Sequence, residues 1–332
     1  MKRVFKVLLA IVLCISVTGC KPAGTAINAE VFTSSYESGN ASGYSYVSDY
    51  SSNYLFEADK FLYEDICFAS TDVTERSDYE FTATSAACFD VDNAKVIYSK
   101  DIFTKVYPAS TTKLLTALVA VKYCDLDDIV VIKEDNCGIT TAGAQLCGFM
   151  AGDSVTMRDL LYCLLVMSGN DAAIAIAEHV SGSVEAFAKL MNEEAVILGA
   201  TDTHFTNPHG LHSPNHYTTA YDIYLIFREV LSFSSLKEIM TSSAYTAIIH
   251  GASGEEKYLT VESTNMYKRG IIESPKGISV LCGKTGETIA AGNCLVLYSE
   301  DEDGHGYITE LFKSSDRKTV YNEMNVLLEL CK

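Results

Sequence analysis

Residues 108–124 read PASTTKLLTALVAVKYC. From Ser110 onward almost every residue is apolar or a good helix former, which predicts a buried helix over 110–124. Serine is a favoured N-cap and proline suits a helix entrance, so the start of this stretch has a structural reading. Lys113 resists one. A cation in the first helical turn lies against the positive end of the macrodipole. A spacing of three places Ser110 and Lys113 on one face of the helix. There a neutral amine can take the proton of a hydroxyl that is otherwise a weak nucleophile. Neutrality requires burial or a second cation to pull the lysine pKa down.

Outward from this helix the chain changes character twice. Before it, "FTATSAACFDVDNAKVIYSK" (81–100) reads as two strands around a DVDN turn. After it come helical periods at 157–167, 170–180, 184–199 and 219–231, the last with Thr219 as a candidate cap. Strands return in "GISVLCGKTG" (277–286), "NCLVLYSE" (293–300) and "GYITELF" (306–312). The last element carries Val320, Tyr321, Met324, Leu327, Leu328 and Cys331 on one helical face. Strands at both ends and helices between them predict an α+β fold. It is one antiparallel sheet of about five strands flanked by helices, with a mainly helical lobe inserted and a cleft between the two.

The N-terminus sets the compartment. "MKRVFK" is cationic, "VLLAIVLCISV" is apolar but short for a membrane span, and "VTGC" follows. Residues 1–20 are therefore read as an export signal. They resemble a bacterial lipoprotein signal, in which Cys20 becomes the lipidated mature N-terminus. Residues 21–60, rich in Ser, Gly, Asn and Tyr, are read as a flexible tether. Its roughly 40 residues would span about 35 Å. The net charge of −18 over 332 residues excludes a general nucleic-acid binder. Of the 11 cysteines, Cys14 leaves with the signal and Cys20 takes lipid. The rest read mostly as small buried hydrophobes, and no C-x-x-C supports a zinc site.

S-x-x-K alone is weak. Two further stretches, "SGN" (168–170) between two helices and "KTG" (284–286) on a strand, complete an ordered set. That set resembles active-site serine penicillin-recognising enzymes, whose middle motif is often S-D-N. The S-G-N variant, together with "LLYCLLVMSGNDAAIAIAEHVSGS" and "FTNPHGLHSPNHYTTAYD", is similar to the D-alanyl-D-alanine carboxypeptidases. These are the low-molecular-mass penicillin-binding proteins of the β-lactamase/transpeptidase-like superfamily. The resemblance covers residues 65–332.

The resemblance implies roles. Ser110 would attack the carbonyl between two D-alanines, and Lys113 would be its general base. Ser168, hydrogen-bonded to Lys113, would relay a proton to the leaving amine, and Asn170 would bind the peptide amide. Lys284 and Thr285 would hold the terminal carboxylate, and the Lys284 charge would help keep Lys113 neutral. Gly286 would leave room for the substrate backbone. The backbone N–H groups of Ser110 and Glu287 would form the oxyanion hole. No cofactor or metal is implied. The implied partners are a peptidoglycan stem peptide ending in D-Ala-D-Ala, β-lactams, and a membrane reached through the Cys20 lipid, facing the cell wall or periplasm.

Glu287 departs from the family, which more often has an aromatic residue or histidine there, and a carboxylate beside the substrate's own could alter specificity. His204, His209, His212 and His216 fall within thirteen residues, but "NPHGL" is turn-rich and reads as loop packing rather than a metal site. Two other functions use the same motifs. A serine β-lactamase would deacylate quickly, in one class through an E-x-x-x-N loop that is not found between 170 and 284. A non-catalytic wall-peptide or β-lactam sensor would bind without turnover.

Overall fold

The computed structural model describes residues 66–332. The proposed signal, tether and Cys20 lie outside the described residues. Five strands form the main sheet: β1 (Ser85–Asp90), β2 (Lys95–Lys100), β7 (Ile278–Thr288), β8 (Gly292–Asp301) and β9 (Gly306–Ser314). They run antiparallel in the order β2-β1-β9-β8-β7. Strand β1 pairs with β9, so the two ends of the domain meet in the middle of the sheet.

Each face of the sheet has its own core, because successive side chains on a strand point to opposite sides. Leu295, Leu297 and Leu311 pack with Val320, Met324, Leu327 and Leu328 of the final helix, α7 (Arg317–Glu329). Val296, Ile308, Phe312 and Phe89 join the larger core on the opposite side. That core holds α1 (Lys113–Tyr123), α2 (Met157–Leu165), α3 (Asn170–Ser181), α4 (Val184–Ile197), α5 (Ala220–Ser232) and α6 (Ser234–Thr241). Helix α1 is buried on every side from Lys113 to Ala120, as its near-continuous apolar sequence requires. Thr219 caps α5 by accepting from the Asp222 N–H at 3.0 Å, as its position suggests.

The inserted lobe is not only helical. A second sheet of four strands, β3 (Ile129–Val131), β4 (Ser154–Thr156), β5 (Ala244–His250) and β6 (Glu256–Glu262), runs in the order β3-β4-β5-β6. Strands β3 and β4 have three residues each, too few for a period of two to show. Strands β5 and β6 form a hairpin around a turn with Gly254 at φ +88°, a pairing the sequence reading did not identify. No helix among the described residues is long and apolar enough to cross a membrane.

Glu310, in the middle of β9, is fully buried, and neither carboxyl oxygen has a hydrogen-bond partner. Burial drives its pKa well above the ordinary 4.5, so it is held as the neutral acid. The unfolded chain then binds fewer protons than the native one above about pH 4.5, and stability falls as pH rises through that window. Glu310→Met should therefore raise stability at pH 7 by about 1–3 kcal/mol and flatten its decline as pH rises above the ordinary carboxylate range. Urea denaturation at several pH values reads both effects.

Candidate active site

Ser110 does not cap the helix. It lies in a 3-10 turn, Ala109–Thr112, and α1 begins at Lys113. Ala109 has φ +47°, a left-handed conformation that costs energy for any residue with a Cβ. The turn is held from within by Thr111 Oγ1 donating to Pro108 O (2.8 Å) and Thr112 Oγ1 donating to Ala109 O (2.8 Å). His216 extends this chain. Its Nδ1 accepts from the Thr206 N–H (3.0 Å), which leaves Nε2 to donate to Thr112 Oγ1 (2.8 Å).

Two glycines wedge the turn from outside. A Cβ on Gly210 would lie 1.8 Å from Ala109 O, and Gly210 itself has φ +87°. A Cβ on Gly286 would lie 3.0 Å from Pro108 O and 3.1 Å from Ser110 N. Gly286 therefore makes room for the Ser110 turn itself, a closer neighbour than the substrate backbone expected there. The same approach sets the Ser110 N–H beside β7 at the Gly286–Glu287 position.

Lys113 is fully buried; its Nζ donates to Asn170 Oδ1 (2.7 Å) and the His209 carbonyl (2.6 Å) and lies at hydrogen-bond distance from Ser110 Oγ (2.9 Å). Its pKa is pulled well below 10.5, first by burial and then by the nearby Lys284; Cys147 and Asp171 oppose the shift. Lys284 is also buried, and burial brings its pKa to about 7. Its Nζ donates to Ser168 Oγ (2.8 Å) and to its neighbour's carbonyl on Thr285 (3.0 Å). Thr285 Oγ1 lies 2.7 Å from Thr264 Oγ1.

The expected pairing of Ser168 with Lys113 is thus replaced. Ser168 bonds Lys284, and Asn170 takes the place beside Lys113. The S-G-N turn explains the exchange. Ser168 has φ +68°, which turns its side chain toward β7. The next residue opens α3, so the Asn170 side chain faces α1 at the packed helix pair. Gly169 is the only small enough residue here: a Cβ would meet Cys147 Sγ at 2.3 Å.

Several residues that hold this geometry escaped the sequence reading. Buried Asp171 accepts from the N–H groups of Cys147 and Gly148, each at 2.9 Å, and Asn170 N–H donates to Gln145 O (2.8 Å). A strap of chain is thereby fixed beside the S-G-N turn. Asn207 Oδ1 accepts from Gly210 N–H (2.7 Å), and Pro208 O accepts from Thr116 Oγ1 (2.6 Å). These bonds place the His209 carbonyl on Lys113. The "NPHGL" stretch was visible as a turn, but a carbonyl partner carries no side-chain signal.

The four histidines have separate partners. His209 Nδ1 accepts from Leu211 N–H (3.0 Å), and the His209 ring pKa falls to about 3 through burial and then the Lys113 charge. His216 falls to about 3 mainly through burial. His204 Nδ1 meets the Asn215 carbonyl at 2.6 Å, and His212 lies edge-on to Tyr107 with ring centres 4.7 Å apart. Glu287 points its carboxylate at Arg317 of α7, 2.6 Å away.

Solved structures with this architecture include the Streptomyces K15 DD-transpeptidase. It superposes with a TM-score of 0.71 at 25% identity, over 77% of this chain and 98% of that one. D-alanyl-D-alanine carboxypeptidase DacF of Bacillus subtilis is 34% identical over 172 residues, 51% of this chain and 44% of that protein. DacD of Escherichia coli is 31% identical over 235 residues, 67% of this chain and 56% of that protein. The chain thus spans about half the length of these two relatives. The D-alanyl-D-alanine carboxypeptidase family model matches residues 71–308, which hold all three motifs, and the chain belongs to that family.

Proposed function

We propose that this chain is a serine-type D-Ala-D-Ala carboxypeptidase that removes the terminal D-alanine of peptidoglycan stem pentapeptides and is acylated by penicillin. One observation carries the reading. Asn170 Oδ1 and the His209 carbonyl can only accept hydrogen bonds, whereas the Ser110 hydroxyl can also donate. A neutral Lys113 has two N–H bonds and one lone pair. Its N–H groups go to the two obligate acceptors, and its lone pair is left for the Ser110 proton.

In this mechanism Ser110 Oγ attacks the carbonyl carbon as its proton passes to Lys113 Nζ. The developing oxyanion is held by the N–H groups of Ser110 and Glu287, a contribution of about 10²–10³ in rate per donor. The tetrahedral intermediate collapses as the leaving D-alanine nitrogen takes a proton from Lys113, while Ser168 stays hydrogen-bonded to Lys284. Water then attacks the acyl-serine, with Lys113 as base again. The Asn170 amide would orient the substrate peptide. Lys284, Thr285 and Thr264 would bind the terminal carboxylate, whose charge raises the Lys284 pKa and keeps that side chain protonated.

The curated relatives above are named carboxypeptidases and the structural neighbour a transpeptidase, which differ in whether water or an amine takes the acyl group. Incubation of the purified chain with muramyl pentapeptide, read by mass, tests the proposal. Steady loss of one alanine supports it. Rapid penicillin turnover with an untouched peptide would point to a β-lactamase, and acylation without turnover of either to a sensor.

The signal-like N-terminus supports an extracytoplasmic protein anchored by lipid on Cys20. Cys20→Ser should move the protein from the membrane fraction to the soluble one. Retention on membranes equal to wild type would require another anchor.

A further inference from the structure

All nine cysteines among the described residues are free thiols, and one pair of them meets where two distant parts of the chain come together. Cys88 Sγ, in β1, lies 3.4 Å from Cys331 Sγ, in the turn that follows α7. Both residues are at most 1% exposed. We propose that Cys88 and Cys331 are a disulfide-forming site that covalently closes the catalytic domain. The proposal is independent of the reaction above.

The geometry needs little change. A disulfide requires a sulfur separation of about 2.05 Å, so the thiols must approach by roughly 1.4 Å. Cys331 lies in the turn beyond the final helical residue, Glu329. Its backbone is held by one bond to Leu328 O (3.2 Å), and its thiol by a long contact to Leu327 O (3.7 Å). Exposed Arg76 reaches across to the Lys332 carbonyl (3.3 Å) beside the pair. A turn held by so few bonds can open to admit a reagent and close again.

A second thiol pair, Cys147 with Cys163, interacts beside the S-G-N turn, but Cys163 is fixed inside α2 and Cys147 N–H is held by Asp171, whereas buried Cys67 and Cys294 face carbonyls. Cys67 donates to Asp90 O (3.2 Å), and Cys294 lies 3.8 Å from the carbonyls of Tyr107 and Ala291. Burial lifts Cys282 and Cys294 to about 12, which suppresses their thiolates. Cys88 is raised as well, by the Cys331 thiol and by burial, and it lies within β1, so attack would begin from Cys331 when the turn after α7 opens.

The oxidant is a small-molecule disulfide such as glutathione disulfide. The Cys331 thiolate attacks one sulfur, forming a mixed disulfide and releasing one glutathione. The Cys88 thiolate then attacks the Cys331 sulfur and expels the second glutathione. Two protein thiols are oxidised, one disulfide is reduced to two thiols, and the two protons that leave Cys331 and Cys88 end on the two released glutathione sulfurs. The bridge spans 243 residues and encloses Ser110, Lys113, Ser168, Asn170 and Lys284. Closing so long a loop restricts the unfolded chain strongly.

The test uses the purified full chain in a glutathione redox buffer, followed by acid quench, alkylation and non-reducing peptide mapping. A peptide joining Cys88 to Cys331, with a Tm about 10 °C above the reduced protein, is the expected result. Cys331→Ser and, separately, Cys88→Ser should each remove the shift, while both reduced variants melt near the reduced wild type. Full alkylation of Cys88 after denaturing the oxidised sample, or glutathione left on Cys331 with no cross-link, would overturn the proposal.

Discussion

A labelled penicillin should leave a stable mass increase on the wild-type chain and none on Ser110→Ala. Ser110 is the half-buried hydroxyl in direct contact with the Lys113 amine, at 2.9 Å. Neighbouring hydroxyls cannot take its place. Thr111 and Thr112 are fully buried and spend their protons on Pro108 O and Ala109 O. Ser168 is 6% exposed and lies against Lys284. The alanine variant should fold, because the turn is held by those threonines and by the loop at Gly210 rather than by the serine itself. The acylation rate should fall by at least about 10⁴-fold, the scale on which catalytic nucleophiles fail. Intact-mass spectra after a long incubation measure it. A full-yield adduct on the alanine variant would place the nucleophile elsewhere.

The second large effect is expected from Lys113→Met, which keeps the apolar stem in its buried slot and removes the amine. Single-turnover acylation should slow by about 10²–10⁴-fold, the range for loss of a positioned general base. Non-covalent affinity for a peptide ending in D-Ala-D-Ala should change little, since Lys284 and Thr285 are untouched. The variant should also alter how stability depends on pH. In the wild type the Lys113 pKa is depressed on folding, so between that value and 10.5 the unfolded chain binds the extra proton. Stability therefore falls as pH drops through that window, and Lys113→Met should remove this slope. A slowed rate together with a flattened slope identifies a buried neutral amine. A slowed rate with the slope intact would make Lys113 a positioning group only.

Much of this was legible in residues 108–124 and in the two later motifs, because each pairs a local pattern with a chemical need. The helix at Lys113 announced itself by its composition, and Lys113 by its misfit with the macrodipole. The strands of the main sheet carried enough apolar residues at both chain ends to be counted. The second sheet was missed because β3 and β4 are too short and β5 and β6 are half exposed, so their pattern is diluted. Within the site, residue types were readable but partners were not. Which acceptor faces Lys113 depends on the left-handed Ser168 and on the loop that offers the His209 carbonyl. Backbone atoms of that kind leave no trace in the residue names. Asp171 and Gly210 act through close packing against chain segments 24 and 101 residues away, which only the fold reveals.

The central claim is that Lys113 works as a neutral base because it is buried beside Lys284. The pH dependence of acylation by a neutral ester, p-nitrophenyl acetate, tests it most directly, since that ester has no carboxylate for Lys284 to bind. In the wild type the rising limb should lie well below the ordinary lysine value of 10.5. In Lys284→Gln the second cation is gone, Lys113 should hold its proton to higher pH, and the limb should move upward. It should still lie below 10.5, because burial is the larger cause. Lys284 itself titrates near 7, so the displacement should be greatest for the part of the profile where Lys284 is charged. A wild-type limb near 10.5, or identical limbs in the two proteins, would contradict the account.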